Sequence, residues 1–140
     1  MSFKTRAKAR AFAVQFLYQC EAEQIFYFSD GVFNRFAQHF ELTDEVKSIA
    51  ANLCQGTLDN TPELDRLISA ASKRWKIDRK AATDRAILRL TTHELLESTT
   101  PVKVILNEAI KLGKRFGTEN SGQFINGVLD AIAKKKGHQN

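Results

Sequence analysis

Apolar positions recur at helical spacing along almost all of this 140-residue chain. From about Thr5 to Glu23, Ala13, Leu17 and Cys20, with Val14 and Glu21 beside them, form a stripe uninterrupted by glycine or proline. That spacing predicts a first helix. Ser29-Asp30-Gly31 reads as a stop and restart, and Val32, Phe33, Phe36, Ala37 and Phe40 predict a short second helix. Thr43 followed by Asp44 and Glu45 has the chemistry of an N-cap with acids in the first turn. Val46, Ile49, Ala50 and Leu53 supply the apolar face behind it. Thr61-Pro62 predicts a cap with proline at the first helical position. Leu64, Leu67, Ile68 and Ala71 then belong either to a new helix or to a kinked continuation.

Trp75 ends that segment, and Asp78 is the expected cap of a helix carrying Ile87, Leu88, Leu90 and Leu95. Thr100-Pro101 repeats the cap chemistry. Val102, Ile105, Ala109, Leu112 and Phe116 follow as the clearest amphipathic stripe, and Gly117 fits a left-handed C′ position. A last helix begins near Ser121 with Ile125, Val128, Leu129 and Ile132, and Lys134, Lys135 and Lys136 complement its carboxyl-terminal dipole. No segment sustains period-two alternation. The expected fold is all-α: a compact bundle of about six or seven helices. The weakest connection, near Lys73–Arg79, is a candidate division into two helical subdomains, approximately 1–74 and 75–140, expected to pack together as one domain.

Composition supports this. Seven glycines and two prolines are few for a protein of many short strands. No apolar run approaches the roughly 20 residues of a membrane span, and no apolar region follows the basic N-terminus as a secretory signal requires. A cytoplasmic protein without a membrane partner is expected. Cys20 and Cys54 form no CxxC pair, and His39, His93 and His138 are dispersed, so neither a disulfide framework nor a metal site is expected.

The net charge of +5 is unevenly distributed. Residues 1–19 carry +4, residues 20–70 carry −6, residues 71–98 carry +3 and residues 99–140 carry +4. Basic ends around an acidic middle imply a one-sided electrostatic surface. Nucleic acid is the leading partner class, ahead of an acidic protein or a membrane surface. Catalytic signatures are missing: Gly113-Lys114 lacks the preceding glycine of a phosphate loop, and there is no nucleophile elbow or dinucleotide turn. The protein is therefore expected to be no enzyme and to need no cofactor.

Lys4 and Lys8 are four residues apart, as are Arg6 and Arg10. On a continuous helix the two pairs project about 160° apart, so all four face one ligand only if the first residues leave the helix as an arm. The plain alternative is a solubilising terminus. Tyr18 and Phe124 stand near this charge, and single-stranded RNA is commonly read by stacking bases on such rings. For either ring alone, core packing is the simpler role.

Several strings resemble the NusB family of transcription antitermination factors. They are Arg6-Ala7-Lys8-Ala9-Arg10 with Ala13-Val14-Gln15-Phe16-Leu17-Tyr18-Gln19, Asp84-Arg85-Ala86-Ile87-Leu88-Arg89-Leu90 with Glu94-Leu95, Pro101 to Ala109, and Phe124-Ile125-Asn126-Gly127-Val128-Leu129-Asp130. Only residues 24–60 match weakly. The resemblance implies a compact all-helical fold of two packed three-helix-like subdomains and binding to boxA, a single-stranded RNA element of rRNA leaders. It also implies partnership with NusE, a small-subunit ribosomal protein, and assembly on RNA polymerase to suppress termination. By position it assigns Lys4, Arg6, Lys8, Arg10, Tyr18, Lys103, Asn120, Gln123 and Phe124 to the RNA side, and Asp84, Arg85 and Arg89 to the NusE side.

The same resemblance assigns Asn107, Asn126 and Gly127 to structure, as buried amides and a close helix approach. Two departures from the family pattern matter. The basic opening holds two lysines where relatives use mostly arginine, and Asn120 replaces an acid, which favours phosphate approach. The alternative reading is a protein-interaction module whose basic surface meets an acidic partner without sequence-specific RNA binding. A third is the RNA-binding part of an rRNA methyltransferase, for which the cofactor turn is missing. The sequence leaves monomer and homodimer open.

Overall fold

The computed structural model describes residues 2–72 and 81–137. Seven helices are found among them: α1 (Phe3–Ala22), α2 (Asp30–His39), α3 (Asp44–Asp59), α4 (Thr61–Ala71), α5 (Ala82–Glu97), α6 (Val102–Phe116) and α7 (Ser121–Lys135). The expected cap at Asp78, the role of Trp75 and the 74/75 subdomain boundary fall outside the described residues. No helix of the described residues is long and apolar enough to cross a membrane.

Side-chain caps set three of the starts. Ser2, Ser29 and Thr43 accept hydrogen bonds from the backbone N–H groups of Thr5, Val32 and Val46, satisfying donors that the first turn cannot pair. α4 is a new helix rather than a kinked continuation, because Asn60 (φ −118°, ψ 14°) breaks the chain between α3 and α4. The expected Thr61 cap is not formed. Its hydroxyl instead donates back to the Thr57 carbonyl at 3.0 Å, closing the end of α3. At α6 the cap position belongs to Pro101 and not to Thr100.

Gly117 is also not left-handed. With φ −98° and ψ −160° it is extended, and its glycine requirement has another origin. A Cβ there would lie 2.3 Å from Ser121 Oγ and 2.8 Å from the Gly113 carbonyl oxygen.

α5 is the central helix, packed against α1, α3, α4, α6 and α7. One continuous core runs from Ala9, Val14 and Phe16 through Cys54, Ile87, Leu88 and Leu90 to Ile105, Ala109, Ile125 and Leu129. α2 is fastened mainly by aromatic rings: Phe16 lies 5.0 Å from Phe33 and 5.2 Å from Phe36, both in edge-on geometry. Cys20 and Cys54 are buried free thiols. Burial pushes the Cys20 pKa up to about 11 and Cys54 also upward, so neither is a thiolate near neutrality.

Candidate nucleic-acid interface

Among the described residues the N-terminus forms no arm. α1 is helical from Phe3, so its four cations divide between two faces. Lys4 and Lys8 are exposed and share the outward side with Gln15 and Tyr18, the latter 46% exposed. Arg6 and Arg10 turn toward the bundle. Arg6 is half-buried and lines a cleft with Ser48, Asn52, His93 and Glu97.

Arg10 is corrected from a phosphate contact to a structural ion pair. Only 2% exposed, it grips the buried Glu94 carboxylate through Nε at 2.8 and 3.1 Å and Nη2 at 2.9 Å. A phosphate reaching it would have to displace that carboxylate inside the core.

The second half of the surface is built by α6, α7 and the turn between them. Gly113 and Gly122 bring the two helices to backbone contact: a Cβ on Gly113 would meet Gly122 N at 3.1 Å. Buried Ser121 then accepts from the Thr118 N–H at 2.8 Å and closes the turn. Asn120 stands exposed at the amino end of α7, with no side-chain capping bond to occupy its amide. Gln123 is exposed. Phe124 is half-buried, packed in part against the core, so only part of its ring is open.

Lys103, Asn107, Lys111 and Lys114 are exposed along one side of α6. Asn107 is therefore not the buried amide expected from sequence, and neither is Asn126. Gly127 marks no close helix approach, since a Cβ there would meet nothing within 4 Å.

One aromatic–cation pair joins these regions, and a second lies within α6. The Arg115 guanidinium lies 4.9 Å from the Phe116 ring centre, and Lys111 Nζ lies 5.9 Å from that of Phe3. Phe116 also shares an apolar cleft of about 340 Å3 with Tyr18, Gln15, Phe40 and Thr83. Tyr18 thus adjoins α6, whereas Lys103 sits near the opposite end of that helix. Sequence reading missed Phe3 and Lys111, because an aromatic and a base on different helices carry no local signal of their pairing, and it placed Phe116 only in the α6 stripe without its neighbour Arg115.

The expected NusE side has different geometry. Asp84 is buried in the first turn of α5, where a carboxylate suits the helix dipole. Arg85 donates to Glu21 at 2.6 and 2.7 Å, while Arg89 spans Glu21 at 3.1 Å and Asp65 at 2.7 and 2.9 Å. These guanidiniums tie α1, α4 and α5 together, and only 18% and 15% of their side-chain surfaces remain open. The Arg85 hydrogen bonds, reinforced by both positive charges, hold the Glu21 pKa below the usual carboxylate value.

The family model described as the NusB family matches residues 7–134. The chain is 45% identical over 131 residues to the transcription antitermination protein NusB of Anaeromyxobacter dehalogenans, covering 91% of this chain and 89% of that protein. Its fold is similar to the solved T. maritima NusB, with a TM-score of 0.81, 34% identity and coverage of 93% and 91%. It is also similar to a chain in the structure of antitermination factors NusB and NusE in complex with dsRNA, with a TM-score of 0.82, 28% identity and coverage of 96% and 99%. Sequence strings, helix order and three-dimensional likeness agree over nearly the whole length: this chain belongs to the NusB family of transcription antitermination factors.

Proposed function

We propose that the protein binds boxA-type single-stranded RNA in nascent rRNA leaders along the surface that joins α1 to the α6–α7 turn. Lys4, Lys8 and Lys103 attract the phosphates, Arg6 adds charge at the edge, and Tyr18, Asn120, Gln123 and Phe124 contact bases. One observation carries this reading: outward Lys4 and Lys8 share one side of α1 with the exposed Tyr18 ring, and α6 beside it shows Lys103, Lys111 and Lys114 to solvent. Alternating cations and aromatic faces suit a flexible strand, because charge tracks its backbone while rings stack its bases. The proteins in the related complex are NusB and NusE with dsRNA. A NusE-type protein docking beside Arg85 and Arg89 would extend the RNA surface, and the pair would then join RNA polymerase in the cytoplasm. The role is assembly through coupled binding free energies, with no chemical turnover.

Fluorescence anisotropy of a labelled boxA RNA tests this, with a scrambled strand and a duplex as controls, with and without NusE, at two salt concentrations. Preference for the boxA strand, strengthened by NusE, is expected. Equal, salt-sensitive binding to every RNA would leave only a basic surface, favouring the protein-interaction reading. The oligomeric state bears on the same face. A homodimer that covered Lys4, Lys8 and Tyr18 would dissociate as RNA is added, which sedimentation measures.

A further inference from the structure

We infer that Phe3, held against Lys111, is an additional base-stacking platform that extends the RNA path beyond the amino end of α1. The inference rests on the RNA-binding reading above and adds residues that neither the family strings nor the charge pattern single out. Phe3 is 55% exposed although it sits in the first turn of a capped, well-formed helix. An apolar ring so placed gains little from burial, yet it is not isolated. The Lys111 ammonium lies 5.9 Å from its centre, within the range of a weak cation–π contact. Lys111 also pairs with Glu108 at 3.2 Å while 70% of its side chain stays exposed. One cation therefore lies beside the ring and still presents charge to solvent.

The position of the pair matters as much as its chemistry. Lys111 and Lys114 are neighbours on α6, about 5–6 Å apart at Cβ. Lys114 in turn packs at Gly122, its Cγ being 3.7 Å from where a Cβ on that glycine would stand. Phe3, Lys111 and Lys114 thus form a short row that leads from the amino end of α1 to α7 at Gly122. A strand following this row would stack one unpaired base on Phe3 and place the neighbouring phosphates over the lysines. A duplex, with its bases already stacked, would gain only the charge.

The test uses the full chain and fluorescein-labelled boxA RNA. Phe3→Ala should weaken binding about fivefold, the low end for loss of one stacked base, and leave the salt dependence unchanged. Lys111→Gln should lower the slope of log affinity against log salt by about 0.7, the value for one phosphate contact on a single strand. Phe3→Leu separates the ring from mere apolar bulk and should bind as weakly as Phe3→Ala. Phe3→Trp should retain affinity and show an RNA-dependent emission change absent from the wild type. Full binding by Phe3→Ala or Phe3→Leu, while Lys8→Gln still weakens the complex, would overturn the platform and leave the wider RNA reading standing. Absence of RNA binding by the wild type would overturn both.

Discussion

Replacing Arg10 by methionine should cost the protein much of its stability while leaving RNA recognition untouched. The guanidinium and the Glu94 carboxylate are 2% and 1% exposed, and three hydrogen bonds of 2.8–3.1 Å join them. Removing one member leaves a buried charge without its counterion, a loss of about 3–5 kcal/mol. For a chain of 140 residues, an unfolding entropy near 0.3 kcal/mol per kelvin converts this into a fall in Tm of about 10–17 °C. The pair is also imperfect. Arg10 Nη1 is buried with no hydrogen-bond partner among the described residues, so the ion pair recovers less than its full desolvation cost. The double variant Arg10→Met/Glu94→Leu should accordingly return to within about 2 kcal/mol of wild type.

Urea denaturation followed by circular dichroism measures these differences. RNA anisotropy, at a temperature where the single variant remains folded, measures the other half of the claim. Affinity and salt slope should match the wild type, because a buried, neutralised guanidinium releases no counterions on binding. A variant of near-normal stability with a tenfold weaker, less salt-dependent complex would refute the structural role and return Arg10 to the RNA surface.

Three further outcomes follow from named contacts. Gly56→Ala should destabilise the fold by about 1–3 kcal/mol, because a Cβ at Gly56 would lie 2.3 Å from His93 Nε2; His93→Ala in the same chain should recover part of that loss in a denaturant titration. Burial lowers the His93 pKa from its usual 6.5, against the opposing pull of Glu97, Glu94 and Asp59. The folded state therefore resists a proton that the unfolded chain accepts, and this stability is complete above about pH 6.5 and lost as pH falls toward the lowered value. His93→Gln should flatten that part of the stability profile, and an unchanged profile would remove the imidazole as its source. Glu21, with its pKa lowered from 4.5 chiefly by Arg85, contributes stability above pH 4.5 that is lost as pH falls through the folded-state pKa. Glu21→Gln should lower stability at pH 7 by about 1–3 kcal/mol and reduce the acid dependence of unfolding seen by circular dichroism.

Local sequence carried the helices because their signals are local. The Val102–Phe116 stripe, the Thr43 cap and the Ser29-Asp30-Gly31 restart each depend on neighbours within a turn or two, and each produces the element it predicts. Errors begin where a second element decides. Gly117 has the residue type of a left-handed C′, but the approach of Ser121 from the next helix accounts for the glycine. Asn107 and Asn126, assigned as buried amides by the family resemblance, both face solvent. The acidic middle segment is similarly deceptive, since Glu21 and Asp65 neutralise Arg85 and Arg89 inside the molecule. Formal charge per segment therefore overstates the charge that each segment shows to a partner.

The basic opening of α1 shows the same principle at the candidate site. Helical spacing already placed Lys4 and Lys8 nearly opposite Arg6 and Arg10, and an unwound arm was one way to unite them. The helix takes another course and sorts them by chemistry. Arginine carries a planar, weakly hydrated fork that a buried carboxylate can satisfy at two nitrogens, as Glu94 does for Arg10. Lysine is a compact, strongly hydrated charge, so Lys4 and Lys8 stay outside. The two lysines in an otherwise arginine-like motif thus keep their charge on the outward face, where the proposed RNA would meet it, and the buried arginine holds that face against α5. In the proposed complex, specificity then has to come from groups beside the lysines rather than from the lysines themselves, which is the role proposed for Tyr18, Asn120, Phe124 and Phe3.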